Sequence, residues 1–189
     1  MSNSTLQTFR ETGAYLTGHF RLTSGLHSSE YLQSAVVLQH PAFAESLGRS
    51  LAETMPPAQV VASPALGGLI IGHEVARAMG ARFIFTERDA AGKMTLRRGF
   101  SLRPEETVVV VEDVVTTGGS TREVIELLRP TGVRILGVGS IIDRSGGKVD
   151  LGVPRVALAT LNAVSWSAEE CPLCKQGLPV EKPGSRAAV

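Results

Sequence analysis

The hydrophobic positions change period repeatedly along the chain, and each change predicts an element. Leu6 and Phe9 stand at helical spacing ahead of Gly13 and predict a short N-terminal helix. The stretch "GHFRLTSGLHSSEYLQSAVV" alternates apolar and polar residues around Gly25, as a hairpin or a bent pair of strands would. "PAFAESLGRSLAETM" opens on Pro41 and repeats apolar residues at Phe43, Leu47 and Leu51, the pattern of an amphipathic helix. A short apolar run, "QVVAS", then predicts a buried strand, "PALGG" a loop, and "LIIGHEVARAMG" a helix closed by Gly80. "RFIFTE" predicts another strand. The polar, glycine-containing "RDAAGKMTLRRGFSLRPEE" has no sustained period and predicts an exposed excursion with at most short strands. After it come "VVVVEDVV" as a strand, "TREVIELLRP" as a helix, and "VRILGVGSIID" and "RVALATLNAV" as two further strands.

Strands alternating with helices define an α/β fold, with a mainly parallel sheet flanked by helices on both faces. The last stretch, "SWSAEECPLCKQGLPVEKPGSRAAV", is rich in Pro, Gly and charge and predicts an irregular tail. We divide the chain into an N-terminal helix and hairpin at 1–40, an α/β core at 41–165 and a tail at 166–189, all within one structural domain.

Composition narrows the class. With 189 residues and 43% of them apolar, the chain can bury one substantial core. A net charge of +1 and the absence of any long Lys/Arg run argue against nucleic acid as a partner, because affinity for phosphate backbones needs concentrated positive charge. No apolar run approaches the roughly 20 residues that span a bilayer, and the N-terminus lacks a secretory pattern. The two cysteines do not make a disulfide framework. A cytoplasmic protein without a membrane partner is expected.

The chemistry concentrates in "VVVVEDVVTTGGST", residues 108–121. Four valines predict a strand buried on both faces, yet it runs into adjacent acids, Glu112 and Asp113. In open α/β sheets ligands bind beyond the carboxyl ends of the strands. There Thr116, Thr117, Gly118, Gly119 and Ser120 offer backbone N–H groups, hydroxyls and the positive end of a helix, which suits a phosphate. The glycines admit a close backbone approach. Successive strand side chains point to opposite faces, so Glu112 and Asp113 diverge and can grip two hydroxyls of a sugar, stabilising positive charge that develops on it. The ligand this implies is a ribose 5-phosphate unit. A strand–helix connection with solvated acids would be the bland reading, but it leaves the pairing of two acids with a hydroxyl-rich loop without a reason.

Other motifs fail on their own terms. "GGLIIGHE" has the glycine spacing of a nucleotide-binding loop but lacks its Lys-Ser/Thr pair. "GVGSII" lacks the third glycine of a dinucleotide fingerprint. In "HEVAR", Arg77 stands where a zinc protease would carry its second histidine.

The stretch from Val108 to Thr121 resembles the phosphoribosyl-pyrophosphate (PRPP) motif of the type I phosphoribosyltransferases. The resemblance implies Glu112, Asp113, Val114, Val115, Thr116, Thr117, Gly118, Gly119 and Ser120 as PRPP-binding residues, and magnesium (Mg2+) carried in with PRPP rather than held directly by the protein. "GHFRLTSGLHSSEYLQ" is similar to the hood of the orotate phosphoribosyltransferases, "SPALGG" to their pyrophosphate loop, and "IIDR" to the strand end that contributes an arginine to orotate. "ERDAAGKMTLRRGF" resembles the mobile loop of one bacterial branch, and "CPLCKQGLPVEKPGSR" its tail. The family implies orotate and PRPP as substrates, Arg144 and Thr116 at orotate, Arg88 and Lys93 at PRPP, and a homodimer in which loop 87–98 acts across the interface. Glu112, Asp113 and Lys93 are the implied catalytic residues.

Physical chemistry agrees on Arg144, since a pyrimidine carboxylate needs a cation with forked donors. A surface ion pair with Asp143 explains the same residue equally well from sequence alone. Two positions depart from the family pattern: Thr23 where a lysine is common, and Leu66-Gly67 where a Tyr-Lys pair is common. Both remove polar or positive groups at the pyrophosphate, for which Arg88, Lys93, Arg97 and Arg98 can compensate.

Cys171 and Cys174 form one CxxC, half of a tetrahedral zinc site. A second subunit or a histidine would have to complete it, and a metal-free turn with reduced thiols is the simpler expectation. Two alternatives remain for the whole chain: a purine-base phosphoribosyltransferase with a different base pocket, and a regulatory protein that senses PRPP and binds nucleic acid. The "IIDR" strand end and the lack of a basic stripe favour the orotate reading.

Overall fold

The computed structural model describes residues 2–22 and 24–183; Thr23 lies outside the described residues, as do positions 184–189 of the tail. The elements follow the predicted order. Helix α1 (Ser2–Glu11) leads into strands β1 (Tyr15–Arg21) and β2 (His27–Leu32), then helices α2 (Ser34–Leu38) and α3 (Pro41–Thr54). Strand β3 (Val60–Pro64), helix α4 (Gly68–Met79), strands β4 (Arg82–Arg88) and β5 (Met94–Leu96), strand β6 (Thr107–Val115) and helix α5 (Gly119–Leu128) follow. The chain closes with β7 (Arg134–Asp143), β8 (Arg155–Thr160), β9 (Ser165–Trp166) and helix α6 (Pro172–Lys175).

Six strands form the main sheet in the order β5-β4-β3-β6-β7-β8, parallel except for β5, which pairs antiparallel with β4. The valines of β6 divide between its faces. Val109 and Val111 pack with α1, α2, α3 and α4 through Phe9, Val37, Leu51 and Ile71. Val108 and Val110 pack against α5 through Val124, Ile125 and Leu128. All four are fully buried, which is why this strand reads as a continuous apolar run and not an alternating one. Helix α4 ends as expected on Gly80, whose left-handed backbone (φ 64°) a side chain would strain.

Three details differ from the sequence reading. "SAVVL" is a short helix, α2, not a continuation of the hairpin, because Val37 and Leu38 are drawn into the core beneath α1 and α3. In α3 the buried stripe is Ala44, Leu47, Gly48 and Leu51; Phe43 lies outside it, exposed, with its ring against His40. The tail is ordered where it is described. Strand β9 joins β2 in a second, three-stranded sheet, β1-β2-β9, and Glu181 exchanges backbone hydrogen bonds with His19 and Arg21. The hood is thus built from both ends of the chain.

Candidate active site

The carboxyl ends of β3, β6 and β7 open toward the hood. The pleat of β6 sends Glu112 to the α5 face, following Val108 and Val110, and Asp113 to the α4 face, following Val109 and Val111. The two acids are not equivalent. Asp113 is half-buried and lies against the loop between β3 and α4: a Cβ added at Gly67 would sit 2.6 Å from its Oδ1. That contact gives a physical reason for Gly67, since any side chain there would collide with the carboxylate. The Ala65–Leu66 peptide in the same loop is cis. Glu112 is buried, and desolvation first, then the charge of Asp113, raises its pKa well above the usual carboxylate range. Its Oε1 accepts a hydrogen bond from the backbone N–H of Asp113 at 3.2 Å.

Beyond β6 the chain turns through Thr116 and Thr117 into α5. Gly118, the N-cap, is in the left-handed region (φ 73°), and a Cβ there would strike Val149 Cγ1 at 2.7 Å. Glycine is therefore required twice over, by conformation and by space. The first-turn amides of α5 have no partners within the helix, and no acid stands in that turn to compete for them. Thr116 and Thr117 are exposed, and Gly119 and Ser120 half-buried, so the loop is open to a ligand. Val114 and Val115 pair with Ile142 and Asp143 of β7, and the Val115 side chain is buried, leaving only its backbone near the loop.

Arg144 directly follows β7, beside this loop. Only 9% of it is exposed, and burial lowers its pKa. The ion pair with Asp143 that the sequence left open does not form. Asp143 instead binds Arg155 at 2.6 Å, with Ser145 and Gly147 donating to its other lone pairs. Although burial alone would raise it, these contacts hold the Asp143 carboxyl below its ordinary range. Arg144 Nη2 donates to Ser28 Oγ at 3.3 Å and to the Glu30 carbonyl at 3.2 Å, both on β2, and its Nε has no partner among the described residues. Among the described residues no carboxylate lies within ion-pair distance of this buried guanidinium, so one of its donors remains available.

Sequence reasoning did not single out the hood residues that frame this cation. Glu30 and the phenol of Tyr31 lie in the field of Arg144, and burial first, then the charge of Asp113, raises the Tyr31 pKa. Tyr15 donates its hydroxyl to the Glu30 carboxylate. Alternation along β2 was the available signal, but their neighbours in space come from other strands.

The loop cations occupy a β4–β5 hairpin. Arg88 is paired with Glu123 of α5 at 2.7 Å, and Arg98 and Arg97 with Glu87 at 2.7 and 3.8 Å. Lys93 is exposed at the turn, where Asp89 Oδ1 accepts from its backbone N–H, and it makes no ion pair among the described residues.

A phosphate-receptive loop after a diverging acid pair, beside a buried cation at the next strand end, is the layout of a phosphoribosyl-transfer site. Residues 36–168 match the phosphoribosyl transferase domain family, and the chain belongs to it. It is 57% identical over 180 residues to the orotate phosphoribosyltransferase of Pelotomaculum thermopropionicum, covering 94% of each chain. With the orotate phosphoribosyltransferase of Heliobacterium modesticaldum it shares 55% identity over 185 residues, 96% of each. The solved orotate phosphoribosyltransferase of Aeropyrum pernix is similar at 27% identity with a TM-score of 0.70, over 82% of this chain and 92% of that one. Within the family, then, this chain is an orotate phosphoribosyltransferase. The purine-base and regulatory alternatives are set aside by these relatives.

Proposed function

We propose that the enzyme joins orotate to PRPP in a cleft whose sugar end is Asp113 with the loop Thr116–Ser120 and whose base end is Arg144. The observation that carries this is the buried guanidinium of Arg144, with an unpartnered Nε beside the phosphate-receptive loop. The 5-phosphate rests on the free amides at the start of α5 and on the hydroxyls of Thr116, Thr117 and Ser120. Asp113, with Glu112 behind it, holds the ribose hydroxyls. Arg144 takes the orotate carboxylate or ring carbonyl in a forked, charge-assisted contact, and Thr116 reaches the base from the loop.

In the reaction the C1–O bond to pyrophosphate breaks and its electron pair departs with the leaving group. A ring nitrogen of orotate, its proton passing to solvent or to the departing pyrophosphate, bonds to C1 from the opposite face. Positive charge on the ribose ring peaks between these events, where the carboxylate of Asp113 stabilises it. The protein acts by positioning both substrates and by presenting fixed charge. Hard, oxygen-only donors at this strand end fit magnesium, which commonly keeps its waters and binds through substrate phosphates plus one or two carboxylates. Asp113 is the accessible carboxylate for that shell, and the ion supplies charge neutralisation on the pyrophosphate.

We further read the active form as a cytoplasmic homodimer in which loop 87–98 closes over the partner's cleft, with residues 1–40 as hood, 41–165 as core and 166–189 as tail. No disulfide joins the two cysteines, in keeping with a reducing compartment, and no described helix is long and apolar enough to cross a membrane. The test is direct. Protein mixed with orotate, PRPP and Mg2+ should consume orotate, followed by its ultraviolet absorbance, and should not consume adenine. Turnover of adenine in place of orotate would sink the base assignment.

A further inference from the structure

The hood holds a second cluster of reactive side chains, away from the acid pair. His19, His27, Cys171 and Cys174 place one potential metal-ligating atom each within 4.8 Å of all the others. His19 Nε2 lies 2.9 Å from His27 Nδ1, 3.5 Å from Cys171 Sγ and 3.6 Å from Cys174 Sγ, while His27 Nδ1 lies 3.3 Å from Cys174 Sγ. Zinc–nitrogen and zinc–sulfur bonds of about 2.0 and 2.3 Å at tetrahedral angles require nitrogen–sulfur edges of roughly 3.5 Å, close to all three observed. The half-site visible in the CxxC is completed within the same chain. We propose that His19, His27, Cys171 and Cys174 form a structural zinc site that fastens the C-terminal strap to the hood.

Three features of the surroundings favour a metal over a chance cluster. First, the chain spends a β-bulge on it. Thr17 pairs with Glu30 but Phe20 with Ser28, so β1 carries an extra residue at Gly18–His19. The bulge breaks the in–out alternation, and His19 and Phe20 are consecutively buried. Second, the Nδ1 of His19 lies 2.9 Å from the Leu178 carbonyl. Donation from that nitrogen fixes the tautomer and leaves Nε2 with a lone pair facing the cluster, as the outer partners of metal-bound histidines do. Third, the charge closes. Two thiols release their protons to solvent as the ion binds, and a divalent cation with two thiolates and two neutral imidazoles is a neutral unit. Neutrality suits this place, since His19, His27 and Cys171 are all buried. Two sulfur and two nitrogen donors in tetrahedral array select zinc over magnesium or calcium.

The site would tie three segments separated widely in sequence: β1, β2 and the turn 171–178. Other contacts between strap and hood include the short β9 pairing, the Ser28 hydroxyl donating to the Val164 carbonyl, and the Glu181 backbone bonds. Ser28, next to His27, and Glu30 are the hood residues that hold Arg144. Zinc would thus stabilise the strand against which the base cation is braced, a consequence that rests on the assignment of Arg144 to orotate, whereas the site itself does not.

The experiment is elemental analysis of the protein purified without chelators, together with titration of its thiols and the absorption spectrum of the Co2+-exchanged form. The expected result is about one zinc per chain, with cobalt giving the ligand-field bands of a tetrahedral sulfur–nitrogen site. Cys174→Ser, at the least buried of the four positions, should lose the metal and unfold at a lower temperature. Its KM for orotate should rise more than its KM for PRPP. Metal-free protein with two reactive thiols that takes up neither added Zn2+ nor Co2+ overturns the proposal, as does a Cys171–Cys174 disulfide. A zinc-loaded protein whose orotate KM is untouched by Cys174→Ser leaves the site standing and removes its link to Arg144.

Discussion

The backbone N–H of Arg144 donates to the carbonyl of Val115 at 2.8 Å, locking the residue that follows β7 to the residue that ends β6. Thr116, the first residue of the phosphate-receptive loop, follows directly. The Arg144 cation and the loop after β6, which we propose serve the base and the sugar phosphate, are therefore held at fixed spacing by a backbone hydrogen bond rather than by two independent loops. Catalysis by positioning depends on such a spacing.

Arg144→Ala should accordingly weaken orotate selectively. Loss of a charge-assisted contact in a dry pocket is worth about 1.5–3 kcal/mol, roughly ten- to a hundredfold in affinity. Binding titrations should show that loss for orotate and little change for PRPP. Arg144→Lys should not restore binding, because an ammonium lacks the planar fork. Equal losses for both ligands would mean that the substitution disturbs β7 as a whole.

Asp113→Asn should leave the protein folded and turnover largely abolished, since the amide keeps the shape of the side chain and removes its charge. Gly67→Ala offers an independent probe of the same group. Gly67 has an ordinary helical backbone (φ −58°), so alanine adds no conformational strain, only a methyl 2.6 Å from Asp113 Oδ1. The carboxylate must move, and kcat should fall with thermal stability little changed. Full activity in Gly67→Ala would show that the position of Asp113 is not critical.

Glu112 predicts a pH-dependent trade. Its folded pKa is raised by burial and by Asp113, so the folded state holds a proton that the unfolded state releases once the pH passes about 4.5. The penalty for ionising this buried acid is absent below that point and grows with pH until the folded pKa is passed. Glu112→Gln should therefore raise the melting temperature at neutral pH, with the gain vanishing near pH 4.5 and below. Activity should fall in the same variant if, as we propose, Glu112 serves the sugar. A lower melting temperature at neutral pH would contradict the desolvated state of this carboxyl.

Much of the strand end, acid pair and loop at β6 was legible because it is local. Four valines, two acids and a glycine–hydroxyl loop lie in fourteen consecutive residues, and strand, pleat and helix start follow from their order. What could not be read is what meets across the sequence. Whether Arg144 pairs with Asp143 was undecidable until Arg155, from the next strand, was found on that carboxylate. The partners of the CxxC were hidden for the same reason: Cys171 lies 152 residues from His19, which faces it only because a bulge turns it inward. Phe43 misled the helical pattern because the apolar period marks a stripe, and the edge of that stripe depends on neighbours such as α4 that the pattern does not contain.

The loop cations separate by what already holds them. Arg88 is committed to Glu123, and Arg97 and Arg98 to Glu87, which leaves Lys93, the only lysine of the excursion, as the exposed charge at the hairpin turn. An exposed lysine is ordinarily just solvated, but one on a lid that closes over departing pyrophosphate would meet it as water is expelled. Lys93→Ala should then lower turnover by about 10²-fold or more, the usual range for a positioned charge or proton-transfer group. Lys93→Ala and Asp113→Asn proteins, each inactive alone, provide the test of which cleft the loop serves. Under conditions that exchange subunits, a loop acting across the dimer leaves one cleft of each heterodimer with both defects and the other with none, so activity returns. Heterodimers that form, shown by a size or affinity tag on one partner, and yet stay inactive would assign Lys93 to the cleft of its own chain.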